Sequence, residues 1–267
     1  MKHYTLDDVK TALMTTEIQA KTKLVNALYA AAQQRQLHLE GEAPVAIHQP
    51  PLPANVQLST PKNMKHRGLG SKTGHQAMLH AIAHIEYNAI NLGLDAVYRF
   101  RGMPTDFYVD WMRVAYEEAY HFSLLAERMR ELGCEYGDFP VHGGLWAMCV
   151  DTEHDVMVRM ALVPRVMEAR GLDVTPKIQE KLNNIGDTKT VELLDIIYED
   201  EIGHVATGSK WFKYLCAERN LSVYKTFREL LKKYLKNGMN TEFNAEARLQ
   251  AGFDDMELAL LAHTFAN

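Results

Sequence analysis

The chain holds only three cysteines in 267 residues: Cys134, Cys149 and Cys216. An odd number at wide spacing excludes a disulfide framework and a zinc knuckle. It reads as free thiols in a reducing compartment, so a cytoplasmic location is expected. Long apolar runs are missing too. Nowhere do roughly 18 apolar residues follow one another, so no membrane span is expected. The opening Met1-Lys2-His3-Tyr4-Thr5-Leu6-Asp7-Asp8 has no apolar signal stretch. There is little excess of charge: the net charge is −5, with no long run of one sign. A nucleic-acid partner is therefore not indicated. β-alternation is almost absent, and so are a glycine-rich phosphate loop, a G-x-S-x-G and a Cys-x-x-Cys. Their absence removes the usual signatures of nucleotide binding, serine hydrolysis and dithiol redox chemistry.

What remains is helical periodicity. Hydrophobic residues make up 47% and charged residues 24%, the balance of a globular protein with a sizeable core. Leu6, Val9, Leu13, Ile18, Leu24 and Leu28 predict helix from 5 to 36, with Thr5 and Asp8 resembling a capping box. Pro44, Pro50, Pro51, Pro53 and Pro61 then predict an extended wrapping segment. Helices are predicted from about Gly74 to Phe100 and from Pro104 to Leu132. A glycine-rich loop from 133 to 144 follows. Helix resumes from Leu145 to Arg170, kinked at Pro164 and stopped by Gly171. A short helix from Thr175-Pro176, a long one capped by Asp187 or Thr188, and a last one from Val223 to Leu235 complete the pattern. After Asn237 little is regular until 254–262. Three parts follow: an N-terminal helix and proline-rich wrap (1–63), a four-helix bundle (64–219), and a C-terminal helix and tail (220–267).

Two short motifs match each other: Glu117-Glu118-Ala119-Tyr120-His121 and Asp200-Glu201-Ile202-Gly203-His204. Each contains Glu-x-x-His preceded by a second acid. Residues three apart lie on one helix face, so a carboxylate and an imidazole can hold the same ion. One copy is weak evidence. Two copies, each near the middle of a long amphipathic helix, are much stronger. Oxygen and imidazole donors suit iron, with manganese the alternative; thiolates would have suggested zinc or copper(I). A two-metal bundle needs one further glutamate from each remaining helix. Glu86 precedes Glu118 by 32 residues, and Glu168 precedes Glu201 by 33. This pseudo-repeat selects Glu168. Glu153, nearer the middle of its expected helix, is the alternative. Asp200 and Glu117 are candidates to orient the histidines. His80 and His84, spaced to hold a metal alone, are expected to be core residues or to support the ligands; Tyr120 and Tyr198 are expected to serve packing, and Arg99, Arg101 and Arg159 surface ion pairs.

At these residues the sequence resembles a bacterial ferritin-like family of unassigned function, within the di-iron carboxylate superfamily. The matching stretches are 80–86, 117–121, the run from Met160 to Asp173, 200–205, and Asn244-Ala245-Glu246-Ala247-Arg248 with Ala251-Gly252-Phe253. The resemblance implies an all-α, ferritin-like four-helix bundle with extra N- and C-terminal helices. It implies two metal ions held by Glu86, Glu118, His121, Glu168, Glu201 and His204. It supplies no substrate.

Three functions are therefore expected, in descending order. The first is an O2-dependent oxidoreductase, di-iron oxidase- or monooxygenase-like, acting on a small organic substrate with a reductase as electron donor; a tRNA substrate is one branch. The second is ferroxidase, peroxide-detoxifying or storage chemistry. The third is a non-catalytic helical binding protein with a structural metal site. A monomer or small homo-oligomer is expected, because the terminal extensions would obstruct a cage. One prediction comes from the offset alone. Along a continuous helix Glu153 lies about 22 Å from Glu168, so the two cannot serve one site in one register. Glu168→Ala is expected to lower metal occupancy strongly and Glu153→Ala to leave it near wild type, as measured by elemental analysis. The reverse result would show the pseudo-repeat to be coincidence.

Overall fold

The computed structural model describes residues 3–60, 68–235 and 242–265. Pro61, the expected boundary at 63/64 and the start of the tail at Asn237 lie outside the described residues. The fold is predominantly helical, and the strands among the described residues are two-residue pieces. No helix of the described residues is long and apolar enough to cross a membrane. The chain divides into two compact units, Met1–Val150 and Asp151–Asn267.

The first unit opens with β1 (Tyr4–Thr5), α1 (Leu6–Met14), α2 (Ile18–Gln33) and β2 (Leu37–His38). The periodicity predicted one helix here, but the chain breaks it at 15–17. The Glu17 carboxylate accepts from the amides of Gln19 (2.9 Å) and Ala20 (2.6 Å), starting a new helix. The last carbonyls of α1 are then met by Lys21. Its buried ammonium donates to Ala12 O at 2.9 Å, to Leu13 O at 2.8 Å and to Asn91 Oδ1 at 2.7 Å. The Thr5 amide donates to Asp8 Oδ2 at 2.9 Å, one arm of the expected capping box.

The proline-rich stretch runs extended against α3 (Lys72–Arg99). Tyr87 donates to Pro51 O at 3.2 Å, and the Val45 amide donates to the Tyr98 hydroxyl at 3.0 Å. Its end forms β3 (Leu58–Ser59), parallel to β4 (Val141–His142). Between these strands, α3 and α4 (Thr105–Glu131) form a long hairpin. A Cβ on Gly93 would lie 3.0 Å from Ala115 Cβ and 3.1 Å from Trp111 O, so the two backbones approach closely there. Helix α5 (Gly144–Asp151) ends the unit.

The second unit comprises α6 (Val156–Leu162), a π-helical turn (Val163–Glu168), α7 (Arg170–Asn184), α8 (Thr188–Glu218), α9 (Val223–Tyr234), α10 (Ala245–Gln250) and α11 (Asp255–Phe265). The helix expected over 145–170 is therefore in pieces. Asp155 caps α6 by accepting from the Met157 amide at 2.7 Å, and the turn before it contains Glu153. Gly171 does not stop a helix; it stands in the first turn of α7. Pro176, expected to start a helix, lies inside α7. A proline there deprives the carbonyl four residues back of its donor. That carbonyl is Leu172 O, and Asn244 Nδ2 reaches it at 3.4 Å. Asp187 caps α8 as predicted, accepting from the Thr190 amide at 3.1 Å. Helix α10 was not predicted.

Two buried ion pairs tie the C-terminal helices to the π-turn and α7. Arg248 Nη2 donates to Asp173 Oδ2 at 2.6 Å and to Ala169 O at 3.3 Å. Arg165 Nη2 donates to Glu257 Oε1 at 2.6 Å, and its guanidinium lies 4.3–4.9 Å from the ring centres of Phe212, Phe227 and Phe253. Arg159, expected at the surface, is buried and donates to Thr152 Oγ1 at 2.7 Å. Arg99 holds the buried Asp95 through its Nε and Nη2.

Removing one partner of a buried pair strands the other charge. Arg248→Met is expected to cost about 3–5 kcal/mol. Arg35→Ala, at the exposed Arg35–Asp106 pair, is expected to cost at most about 1 kcal/mol. Urea unfolding midpoints of the two variants check the contrast; equal costs would sink it.

Candidate metal centre

In the first unit, three of the six residues converge. Glu86 stands at the middle of α3; Glu118 and His121 stand one turn apart on α4. All three are buried. His121 Nδ1 lies 3.3 Å from Glu86 Oε2 and 3.5 Å from Glu118 Oε2. Their ligand atoms all fall within 4.8 Å of one another. The close approach at Gly93 sets the height of the hairpin, and Glu86 lies two turns back from it along α3.

Burial and the charge of Glu118 push the Glu86 carboxyl well above the usual carboxylate range. Burial alone disfavours a charged His121, but Glu118 and Glu86 together override it and hold the imidazolium far above its ordinary value. Two carboxylates out of water thus compete for one positive charge. A divalent cation would serve both and leave the imidazole neutral, the form that ligates.

The second unit repeats the pair. His204 Nδ1 lies 3.8 Å from Glu201 Oε2, the same two atoms at the same i, i+3 spacing, and both residues are buried. Glu168 is buried at the end of the π-turn. Pro164 has no amide to donate to Met160, and the ladder resumes one residue late, with the Ala169 amide donating to Pro164 O at 3.0 Å. The turn packs against α8 at Gly208, where a Cβ would lie 2.3 Å from Pro164 Cγ. Glu168 is four residues after Pro164 and His204 four before Gly208. Along the antiparallel hairpin both are one turn from that contact. The kink expected at Pro164 is thus a π-turn. Glu153 lies in the turn before α6, partly exposed, and not at mid-helix.

The donor set fits iron or manganese: carboxylates and imidazoles, with no cysteine in any candidate cluster of the described residues. Cys134, Cys149 and Cys216 are buried thiols outside any disulfide. His80 and His84 have structural partners, as expected. The Gly137 amide donates to His80 Nε2 at 2.8 Å, and His84 Nδ1 pairs with the Tyr136 hydroxyl at 2.8 Å. Burial lowers both imidazoles to about 4. Glu117 accepts from Arg113 on its own helix at 3.2 Å. Tyr120 is exposed and Tyr198 bonds Asn244 at 2.9 Å. Arg165, Asp173, Arg248 and Glu257, which support the π-turn, were not singled out as site-supporting residues in the sequence. Asp173 and Arg248 are 75 residues apart, and no local spacing joins them.

A helical chain that buries two matched glutamate–histidine pairs is a protein built to hold charge in its interior. It belongs to the DUF455 family, described as a protein of unknown function, whose pattern matches residues 14–259. An uncharacterized protein of Haemophilus influenzae (strain ATCC 51907 / DSM 11121 / KW20 / Rd) is 47% identical over 261 residues, 94% of this chain and 91% of the relative. No solved structure matches the chain.

Gly208→Ala forces a methyl against a proline ring that cannot yield. It is expected to destabilise the protein by about 1–3 kcal/mol and to shift the π-turn, lowering metal occupancy. Gly171→Ala, where a Cβ meets nothing within 4 Å, is expected to change neither. Thermal unfolding and elemental analysis of both variants check this.

Proposed function

We propose that this chain is a di-metal carboxylate protein of the ferritin-like class. Two iron ions are held by Glu86, Glu118, His121, Glu168, Glu201 and His204, and the protein uses O2 to oxidise a small organic substrate with electrons from a partner reductase. The observation that carries the reading is the duplicated Glu-x-x-His with both copies buried. Solvated surface pairs, the ordinary outcome of such spacing, would be exposed. The 32- and 33-residue offsets to Glu86 and Glu168 supply the remaining carboxylates.

Bound iron supplies the electrons that reduce O2. The chain's own residues do the rest. Four carboxylates offset the charge of two divalent ions, and two neutral imidazoles complete the ligand set. Burial excludes bulk water and strengthens each electrostatic contact. Two histidines favour an oxygen-activating enzyme over an iron store. The helices outside the α3–α4 and α6–α8 hairpins, α1–α2 and α9–α11, make a cage subunit a poorer reading. The three buried thiols, none in a disulfide, fit a reducing, cytoplasmic setting.

Protein reconstituted anaerobically with Fe²⁺ is expected to bind two ions per chain and to consume O2 when a reductant is added. His121→Ala and His204→Ala are each expected to lose about one ion and keep the fold by circular dichroism. One ion or none in the wild type, or full occupancy in both variants, refutes the reading.

A further inference from the structure

A second group of ligating side chains lies at the paired strands β1 and β2 and the residues that flank them, exposed where the glutamates of the first group are buried. In a strand, alternate residues share a face. His3 therefore shares a face with Thr5, and His38 with Glu40. The parallel pairing sets Thr5 opposite His38 and Tyr4 opposite Leu37, so His3, His38 and Glu40 all fall on one side of the ribbon. Leu37 is buried, which turns His38 outward. The Leu6 amide donates to Glu40 O at 3.0 Å and carries the pairing up to the glutamate. The two imidazoles stack at 3.6 Å with 18° between their planes. One ligand atom from each of the three residues lies within 4.8 Å of the others, and all three residues are exposed.

We infer that His3, His38 and Glu40 bind one zinc-class divalent ion at the surface, independently of the buried centre. Two imidazoles and a carboxylate are a zinc donor set, and exposure leaves the fourth position to water. Tetrahedral ligands at 2.0–2.1 Å from zinc stand about 3.3 Å apart. The three ligand atoms now lie within 4.8 Å of one another, so binding requires the stacked rings to turn until one nitrogen of each faces the ion. The ion clips residue 3 to residues 38 and 40 across the whole α1–α2 hairpin. It therefore stabilises that hairpin by binding only the paired form.

The test is Zn²⁺ titration of the full chain by calorimetry, with thermal unfolding alongside. His38→Gln, Glu40→Gln and the double variant His121→Ala/His204→Ala are run in parallel. Wild type is expected to bind one more ion, in the micromolar range, than His38→Gln. Glu40→Gln is expected to weaken that ion at least tenfold. Its added Zn²⁺ is expected to raise the melting temperature of wild type and not of His38→Gln. The double variant is expected to keep the surface ion, so loss of the buried centre and loss of this site give different results. Equal stoichiometry and equal stabilisation in wild type and His38→Gln overturn the inference. Since His38 and Glu40 are exposed, neither substitution threatens folding, and unchanged circular dichroism confirms that the comparison is fair.

Discussion

Glu86 and Glu118 are carboxylates kept out of water side by side, with one imidazole between them. Like charges in a low-dielectric interior are among the costliest arrangements a fold can contain. Much of the first unit serves to maintain this one. The α3–α4 hairpin holds its two backbones together at Gly93 and Ala115, so the side chains cannot separate. Lys21 and Asn91 lock α1 to α3, and the proline-rich stretch lies along α3 through Tyr87 and Tyr98. A site that must hold charges against their tendency to move apart needs this rigidity more than a purely apolar core does.

The second unit reaches the same end by a different construction. Its carboxylate helix is not regular. Pro164 turns it through a π-turn, and Pro176 removes a hydrogen bond from the ladder inside α7. Both defects are repaired from the C-terminus. Asn244 meets the carbonyl that Pro176 abandons, Arg248 holds Asp173 and Ala169 O, and Arg165 reaches Glu257 of α11 through a cage of three phenylalanines. The C-terminal stretch from Asn244 to Phe253 does this through Asn244 and Arg248. It supports the segment that ends in Glu168.

Much of this was legible in the sequence, and the reason is local. A 3.6-residue period, a cap at Asp187 and a Glu-x-x-His each involve residues within a turn or two of one another. Helical class, most helix positions, and the pairing of Glu118 with His121 and of Glu201 with His204 follow from that. The misreadings share a cause as well. Gly171 and Pro176 are helix breakers by intrinsic preference, worth about 1 and 3 kcal/mol. Neither broke the helix: Asn244 meets the carbonyl that Pro176 leaves without a donor, and Gly171 sits within the first turn of α7. The break at 15–17 was missed for the opposite reason: the apolar spacing runs on across it, while the Glu17 cap and Lys21 decide the matter.

The sequence by itself determined the helical class, the long helices α3, α4 and α8, and the two matched acid–histidine pairs, because each depends on the geometry of a single helical turn. Tertiary structure decided that Glu86 joins Glu118 and His121. It also decided that Pro164 becomes a π-turn rather than a simple kink, and that Glu153 falls in a turn while Glu168 ends a buried one. It alone brought His3 beside His38 and Glu40. Those outcomes rest on contacts between residues far apart in the chain, and on which side chains folding removes from water. No local preference encodes either.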